Sequence, residues 1–165
     1  DADLEALASS ELHPPEEHFV LERVQVSSAL GGIPTATIRM VSADGVSHTH
    51  AAVGSGPIDA LYKAIDAIVQ APSVLLEYSV HAVTEGIDAL GEVSVRIRSA
   101  SASKGQSAQH GRSQHIFYGH GADPDILLAS AKAYVTALNR LLSHREPTKI
   151  ATSSASPAAE AHHRS

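Results

Sequence analysis

Gly54-Ser55-Gly56-Pro57-Ile58-Asp59-Ala60 and Gly119-His120-Gly121-Ala122-Asp123-Pro124 each follow a run of alternating residues and precede a run with helical periodicity. How these two stretches are read decides the fold. In both, a Gly-x-Gly turn is expected to feed a strand into the start of a helix. Pro57 suits a first helical position, where its missing N–H would be unpaired anyway. Ile58, Leu61, Ile65 and Ile68 then form an apolar stripe to about Gln70. After the second turn, Ile126, Leu127, Ala131, Tyr134, Leu138 and Leu141 form a longer stripe to about Ser143.

Three alternating segments lie upstream of each helix. Phe19, Leu21, Val24 and Val26 predict a strand with one irregularity. Ala36, Ile38 and Met40 predict a half-buried strand, and Val46, His48, His50 and Ala52 a third. Leu30-Gly31-Gly32-Ile33 and Ala43-Asp44-Gly45 supply the turns. The order then returns: a strand over 74–83, a turn at Glu85-Gly86, alternation at Val93, Val95 and Ile97, a mobile hairpin loop over 99–109, and a third strand over 110–118. Short matches accompany the repeat. Val20-Leu21-Glu22 returns as Leu75-Leu76-Glu77, Ile38-Arg39-Met40 as Val95-Arg96-Ile97, Gly54-Ser55-Gly56 as Gly119-His120-Gly121, and Lys63-Ala64 as Lys132-Ala133. Several matches in one order point to a duplication.

The expected fold is therefore α+β: two β-β-β-α units of antiparallel sheet packed with two helices, over 18–72 and 73–145. Residues 1–17 read as a short helix, with Leu4, Leu7 and Ala8 on one face, and a connector broken at Pro14-Pro15. Such a short helix is marginal alone and is expected to pack on a preceding part. Residues 146–165 show no periodic apolar face and are expected to form a disordered tail.

The 165 residues carry a formal charge of −6 and no cysteine. No Lys/Arg cluster offers a phosphate-tracking face, which argues against nucleic acid as a partner. Disulfides and thiolate metal sites are excluded. No apolar run is long enough to span a membrane, the acidic start is unlike a signal peptide, and a cytoplasmic location is expected.

Backbone N–H groups at a Gly-x-Gly helix start, helped by the helix dipole, suit an anion such as an amino-acid carboxylate. The same glycines would equally serve a tight turn with no ligand. A third Gly and a Gly-Lys-Ser/Thr sequence are both missing, so neither a dinucleotide fingerprint nor a P-loop is present. His48 and His50, two apart on a strand, could share a face for Zn²⁺ but lack an obvious third ligand. The alternative is a strand face that is partly exposed or covered by a partner, and no metal site is assigned. No nucleophile elbow is present. Asp123 is well placed as the N-cap of the second helix; one of Asp123 and Asp125 is expected to cap, leaving the other for an ammonium group. Tyr134 is expected in the core.

Gly54 to Ala60, Ile87-Asp88-Ala89-Leu90-Gly91-Glu92-Val93, Gly119 to Asp123, Ala129-Ser130-Ala131-Lys132-Ala133-Tyr134 and Leu138-Asn139 together resemble the C-terminal regulatory domain of 2-isopropylmalate synthases. The resemblance runs from about Asp3 to Leu142. It implies a domain that binds L-leucine near a homodimer interface and so inhibits a distant catalytic TIM barrel of the same polypeptide. That barrel condenses acetyl-CoA with 2-oxoisovalerate and carries a divalent metal. The barrel is absent from this sequence, so the chain alone should hold no cofactor and have no catalytic residues. The resemblance makes Gly54, Ser55, Gly56, Pro57, Ile58, Tyr78, Ala82, Ala89, Gly119, Gly121, Ala122 and Asp123 the candidate leucine site. Related citramalate synthases sense isoleucine with a similar domain, and a ligand-free dimerisation module is a third reading.

Overall fold

A computed structural model describes residues 16–82, 89–100 and 115–145. The expected N-terminal helix, the Glu85-Gly86 turn, most of the 99–109 loop and the tail lie outside the described residues. The described chain runs β1 (Phe19–Ser27), β2 (Thr35–Ser42), β3 (Ser47–Val53), α1 (Pro57–Val69), β4 (Ser73–Ala82), β5 (Gly91–Ser99), β6 (Ile116–Asp123) and α2 (Ile126–Arg145). Two three-stranded antiparallel sheets result, ordered β1-β2-β3 and β4-β5-β6. This is the expected pair of β-β-β-α units.

Local chemistry explains the turns. Gly45 takes a φ of +84°, and its N–H donates to the Ser42 carbonyl at 2.8 Å, closing the Asp-Gly hairpin between β2 and β3. Gly32 N–H donates to the Ala29 carbonyl at 2.9 Å in the turn before β2. The irregularity expected in the first strand is a shift in register between Leu21 and Arg23. β4 repeats it between Leu75 and Glu77.

These bulges fix which residues of the two units are equivalent. Leu21 opposes Met40 and Leu75 opposes Ile97, so Leu21 corresponds to Leu75. The sequence match that aligned Val20-Leu21-Glu22 with Leu75-Leu76-Glu77 is one residue out of step. His50 opposes Ile38 and Gly119 opposes Val95, so the equivalent of Gly119 is His50, not Gly54.

The second Gly-x-Gly is therefore not a turn. Gly119, His120 and Gly121 are strand residues of β6, and α2 begins only at Ile126. The third strand of that unit accordingly runs to Asp123 rather than ending at Tyr118. The physical reason is packing. A Cβ at Gly119 would overlap the carbonyl oxygen of Ala133 and stand 2.8 Å from the Ala137 nitrogen. One at Gly121 would overlap the Ala129 carbonyl oxygen and stand 2.7 Å from the Ala133 nitrogen. Ala129, Ala133 and Ala137 are fully buried at this contact. The helix backbone rests directly on the strand backbone, which only Gly against Ala allows.

Leu61, Ile65, Ala60 and Ala64 of α1 are fully buried, with Ile38, Met40 and Ala36 of β2 in the same core. Val93, Val95 and Ile97 of β5 form the matching floor with Leu138 and Leu141 of α2. α2 also crosses to the first unit. The Asn139 side chain accepts from Phe19 N–H at 3.1 Å and donates to the Phe19 carbonyl at 2.9 Å. One amide thus occupies both main-chain groups of an edge-strand residue, as a neighbouring strand would.

Gly119→Ala is expected to cost about 3 kcal/mol, the upper end of the overpacking range, because both collision partners are backbone. Gly56→Ala, with nothing near its would-be Cβ, should cost less than about 1 kcal/mol. Urea unfolding of both variants measures the contrast; equal losses would contradict the close approach.

Candidate functional site

The residues singled out by resemblance fall into three groups. Gly54, Ser55, Gly56, Pro57 and Ile58 join β3 to α1. Ala82, Ala122 and Asp123 meet at one end of the second sheet, where Ala82 opposes Gly91, Ala122 opposes Glu92, and Asp123 opposes Gly91 from the other side. Ala89 is exposed just before β5. Gly119 and Gly121 lie under α2, where their job is packing.

The two helix starts differ electrostatically. α2 is held by the chain's own carboxylates. Asp125 Oδ1 accepts from Leu127 N–H and Asp123 Oδ1 from Asp125 N–H, both at 2.9 Å. Asp123 Oδ2 also takes the Lys132 ammonium at 2.7 Å. Lys132 first, then the Asp125 amide, holds the Asp123 carboxyl below its usual range. Asp125, not the expected Asp123, is thus the cap, because the strand runs on to Asp123 and the helix starts only at Ile126; Asp123 already holds a cation.

At α1 the N-cap is Gly56, with no side-chain cap. Asp59 Oδ2 turns back to accept from Ser55 N–H at 2.9 Å and pairs with Lys63 at 2.9 Å. The Ser55 amide first, then Lys63, keeps the Asp59 carboxyl below its usual range. The Ser55 amide is therefore spoken for, while the space beside Gly56 is open.

Tyr78 belongs to a cluster between the units. Ser130 Oγ donates to the Ile126 carbonyl at 2.6 Å, so Tyr78 Oη is the donor in its 2.7 Å bond to Ser130 Oγ. Tyr62 Oη donates to the Ser130 carbonyl at 3.1 Å. Its ring stacks on Tyr134 at 4.1 Å between centroids and meets the edge of Tyr78 at 6.2 Å. Tyr134 is buried as expected, and its Oη donates to Asp66 Oδ1 at 2.5 Å. Burial, then Tyr78 and Tyr134, holds the Tyr62 hydroxyl far above the ordinary phenol range. Ile58 lies one turn before Tyr62 on the same helix face. Tyr62, Tyr78 and Ser130 therefore gather at one seam, and Ile58 packs against the same core. Tyr62 and Ser130 escaped the sequence reading, although each stands on a helix beside the predicted stripe.

His48 is half-buried, with its Nε2 3.2 Å from Ser42 Oγ, and His50 is exposed. Among the described residues no three His, Asp or Glu side chains gather as a metal site would require. A separate groove of about 400 Å³ runs between β1 and α2, lined by Phe19, Leu21, Val24, Leu128, Val135 and Thr136 among others. None of the twelve candidate leucine-site residues lines it.

With this geometry in view, comparison with known proteins decides the family. A profile for the family described as "LeuA allosteric (dimerisation) domain" matches residues 1–142. The chain belongs to that family. It is 48% identical over 141 residues to a 2-isopropylmalate synthase of Gloeobacter violaceus, covering 86% of this chain and 24% of that protein. It is 48% identical over 149 residues to one of Synechocystis, covering 90% and 26%. It is 46% identical over 147 residues to 2-isopropylmalate synthase B of Solanum pennellii, covering 88% and 24%. The chain thus spans about a quarter of the length of these curated relatives. No helix among the described residues is long and apolar enough to cross a membrane.

The Asp66 carboxyl provides a test of the seam. Part of its side chain reaches solvent, yet burial outweighs the Tyr134 hydrogen bond and raises its pKa above the ordinary 3.8. The fold then binds this proton more tightly than the unfolded chain does. Its contribution is full below the ordinary value and is lost as pH rises through the raised one. Asp66→Asn keeps an acceptor for Tyr134. Between about pH 3.5 and 7.5 its urea midpoint should fall less with rising pH than the wild type's; parallel profiles would refute the shift.

Proposed function

We propose that this chain is the leucine-sensing regulatory domain of a 2-isopropylmalate synthase, working as a homodimer and joined to a catalytic part outside this sequence. The observation that carries this reading is the family match across residues 1–142, together with relatives that bear that enzyme's name. The acyl transfer and its divalent metal belong, in this reading, to the catalytic part. On the same reading, this chain alone is expected to be inactive.

Leucine needs three things: donors for its carboxylate, an acceptor for its ammonium, and a small apolar pocket. The start of α1 suits the carboxylate better than that of α2: Asp59 takes only the Ser55 groups there and its charge is offset by Lys63, whereas Asp125 caps α2 directly with Asp123 beside it. Pro57, Ile58 and Tyr78 with the small residues Ala82, Ala89 and Ala122 would bound the side chain, whose burial contributes roughly 1.5–3 kcal/mol. Inhibition then requires leucine to bind one arrangement of domain and barrel better than another.

Isothermal titration is expected to show leucine binding to the chain, with isoleucine weaker. Gly56→Asp would place a cap carboxylate at the proposed anion position. It should weaken leucine by roughly tenfold or more while leaving stability equal or slightly raised, since Asp is a favoured N-cap. No heat at millimolar leucine with the dimer intact would end the leucine reading; undiminished binding by Gly56→Asp would move the site elsewhere.

A further inference from the structure

The two units are alike in their strands but not in how their first strands are covered. Leu21, Val24 and Val26 of β1 oppose Met40, Ile38 and Ala36, so they lie on the core face of their sheet. All three pack against the core, beneath the 20-residue α2 that reaches across from the other unit. The equivalent residues of β4 are Leu75, Tyr78 and Val80. They oppose Ile97, Val95 and Val93, which are at most 2% exposed. Leu75 is nonetheless 43% exposed and Val80 48% exposed.

The cause is helix length. α1 has 13 residues and ends at Gln70, which takes a left-handed φ of 53° and turns the chain into β4. Among the described elements neither helix packs along β4 as α2 packs along β1. Ser73 at the start of β4 meets Tyr134, and Tyr78 is held through Ser130 and Tyr62; Leu75 and Val80 between and beyond them stay exposed. The core face of β4 thus carries a Leu and a Val in the positions that a covering helix protects in the other unit. The bulged Leu76 beside them is 39% exposed.

We infer that this uncovered core face of β4, centred on Leu75 and Val80, is where a second copy of the chain docks. The inference rests on the homodimer reading above, and it names the surface. The occupant follows from two observations. The matched family is described by its dimerisation. The patch is apolar and compact, as a two-fold contact requires when the same residues must face each other. The outer face of the same sheet is a poor competitor: it carries polar pairs, Arg96 with Glu77 at 3.4 Å and His120 Nε2 with Glu92 Oε1 at 2.5 Å.

Sedimentation of the chain tests this against Val80→Glu, Leu75→Glu and Val53→Glu. Val53 is 60% exposed on β3, on the opposite face of its sheet from the core residues. The wild type should be a dimer. Either β4 variant should weaken self-association by roughly a hundredfold, because each buries an unpaired charge, and Val53→Glu should leave it unchanged. A second measurement does not depend on tolerance of a charge. The chain has no cysteine, so Val80→Cys takes a single spin label. Dipolar broadening is expected there and not at Val53→Cys. A dimeric wild type that both β4 variants leave intact, or a dimer without broadening at position 80, overturns this surface alone. A wild type monomeric at every concentration removes the homodimer reading and the surface with it.

Discussion

The contact on which the rest of the structure depends is backbone on backbone: the first turns of α2 lying directly over Gly119 and Gly121 of β6. Because the helix sits so low on its own sheet, the remainder of its circumference is free for other work. One side carries Tyr134 and Ser130 to α1 and β4, and another carries Asn139 to β1. A bulkier residue in β6 would lift the helix off the strand, and both sets of hydrogen bonds would lose their geometry together. α1 has His50 and Ala52 at the equivalent strand positions and makes no comparable reach.

Much of the architecture was legible from residue periodicity. Alternation placed five strands closely, the Asp44-Gly45 hairpin followed from the φ that Gly accepts, and the helical stripes marked the buried faces of α1 and α2. The sixth strand was misplaced because glycine was read as local punctuation. Its true demand came from a helix some ten residues later, a relation that local propensity does not carry. A trace of it was present: Ala129, Ala133 and Ala137 form a small-residue ridge at a spacing of four, opposite glycines at a spacing of two. The same error shifted the alignment of the two units, since similar Gly-x-Gly letters were matched across different roles.

The candidate site was legible in part. Gly54 to Ile58 does form the strand-to-helix junction expected of it, and Tyr78 does face the interior. The electrostatics were less visible. Asp59, four residues beyond Ser55, is the sort of first-turn acid that folds back on a helix start, so the carboxylate already present there could have been anticipated. The partition between Asp123 and Asp125 depended on Lys132, two turns along α2, and on which carboxylate points inward. Ser130 gave no sign of itself as the partner of two tyrosines, because nothing in its own neighbourhood asks for a buried hydroxyl.

The bond between Asn139 and Phe19 also bears on how the chain reaches this state. It joins residues 120 positions apart, nearly the whole described length. β1 is the first described strand made and among the last whose edge is satisfied, since its partner sits in the final helix. Contacts of such separation slow folding, because a long loop must close before they form. The edge of the first unit is therefore bonded only once the second is in place. A ribosome releasing the chain would deliver three strands and a helix with an open flank, finished only when α2 emerges. The duplicated halves look separable, but the edge of the first is completed by the last helix of the second.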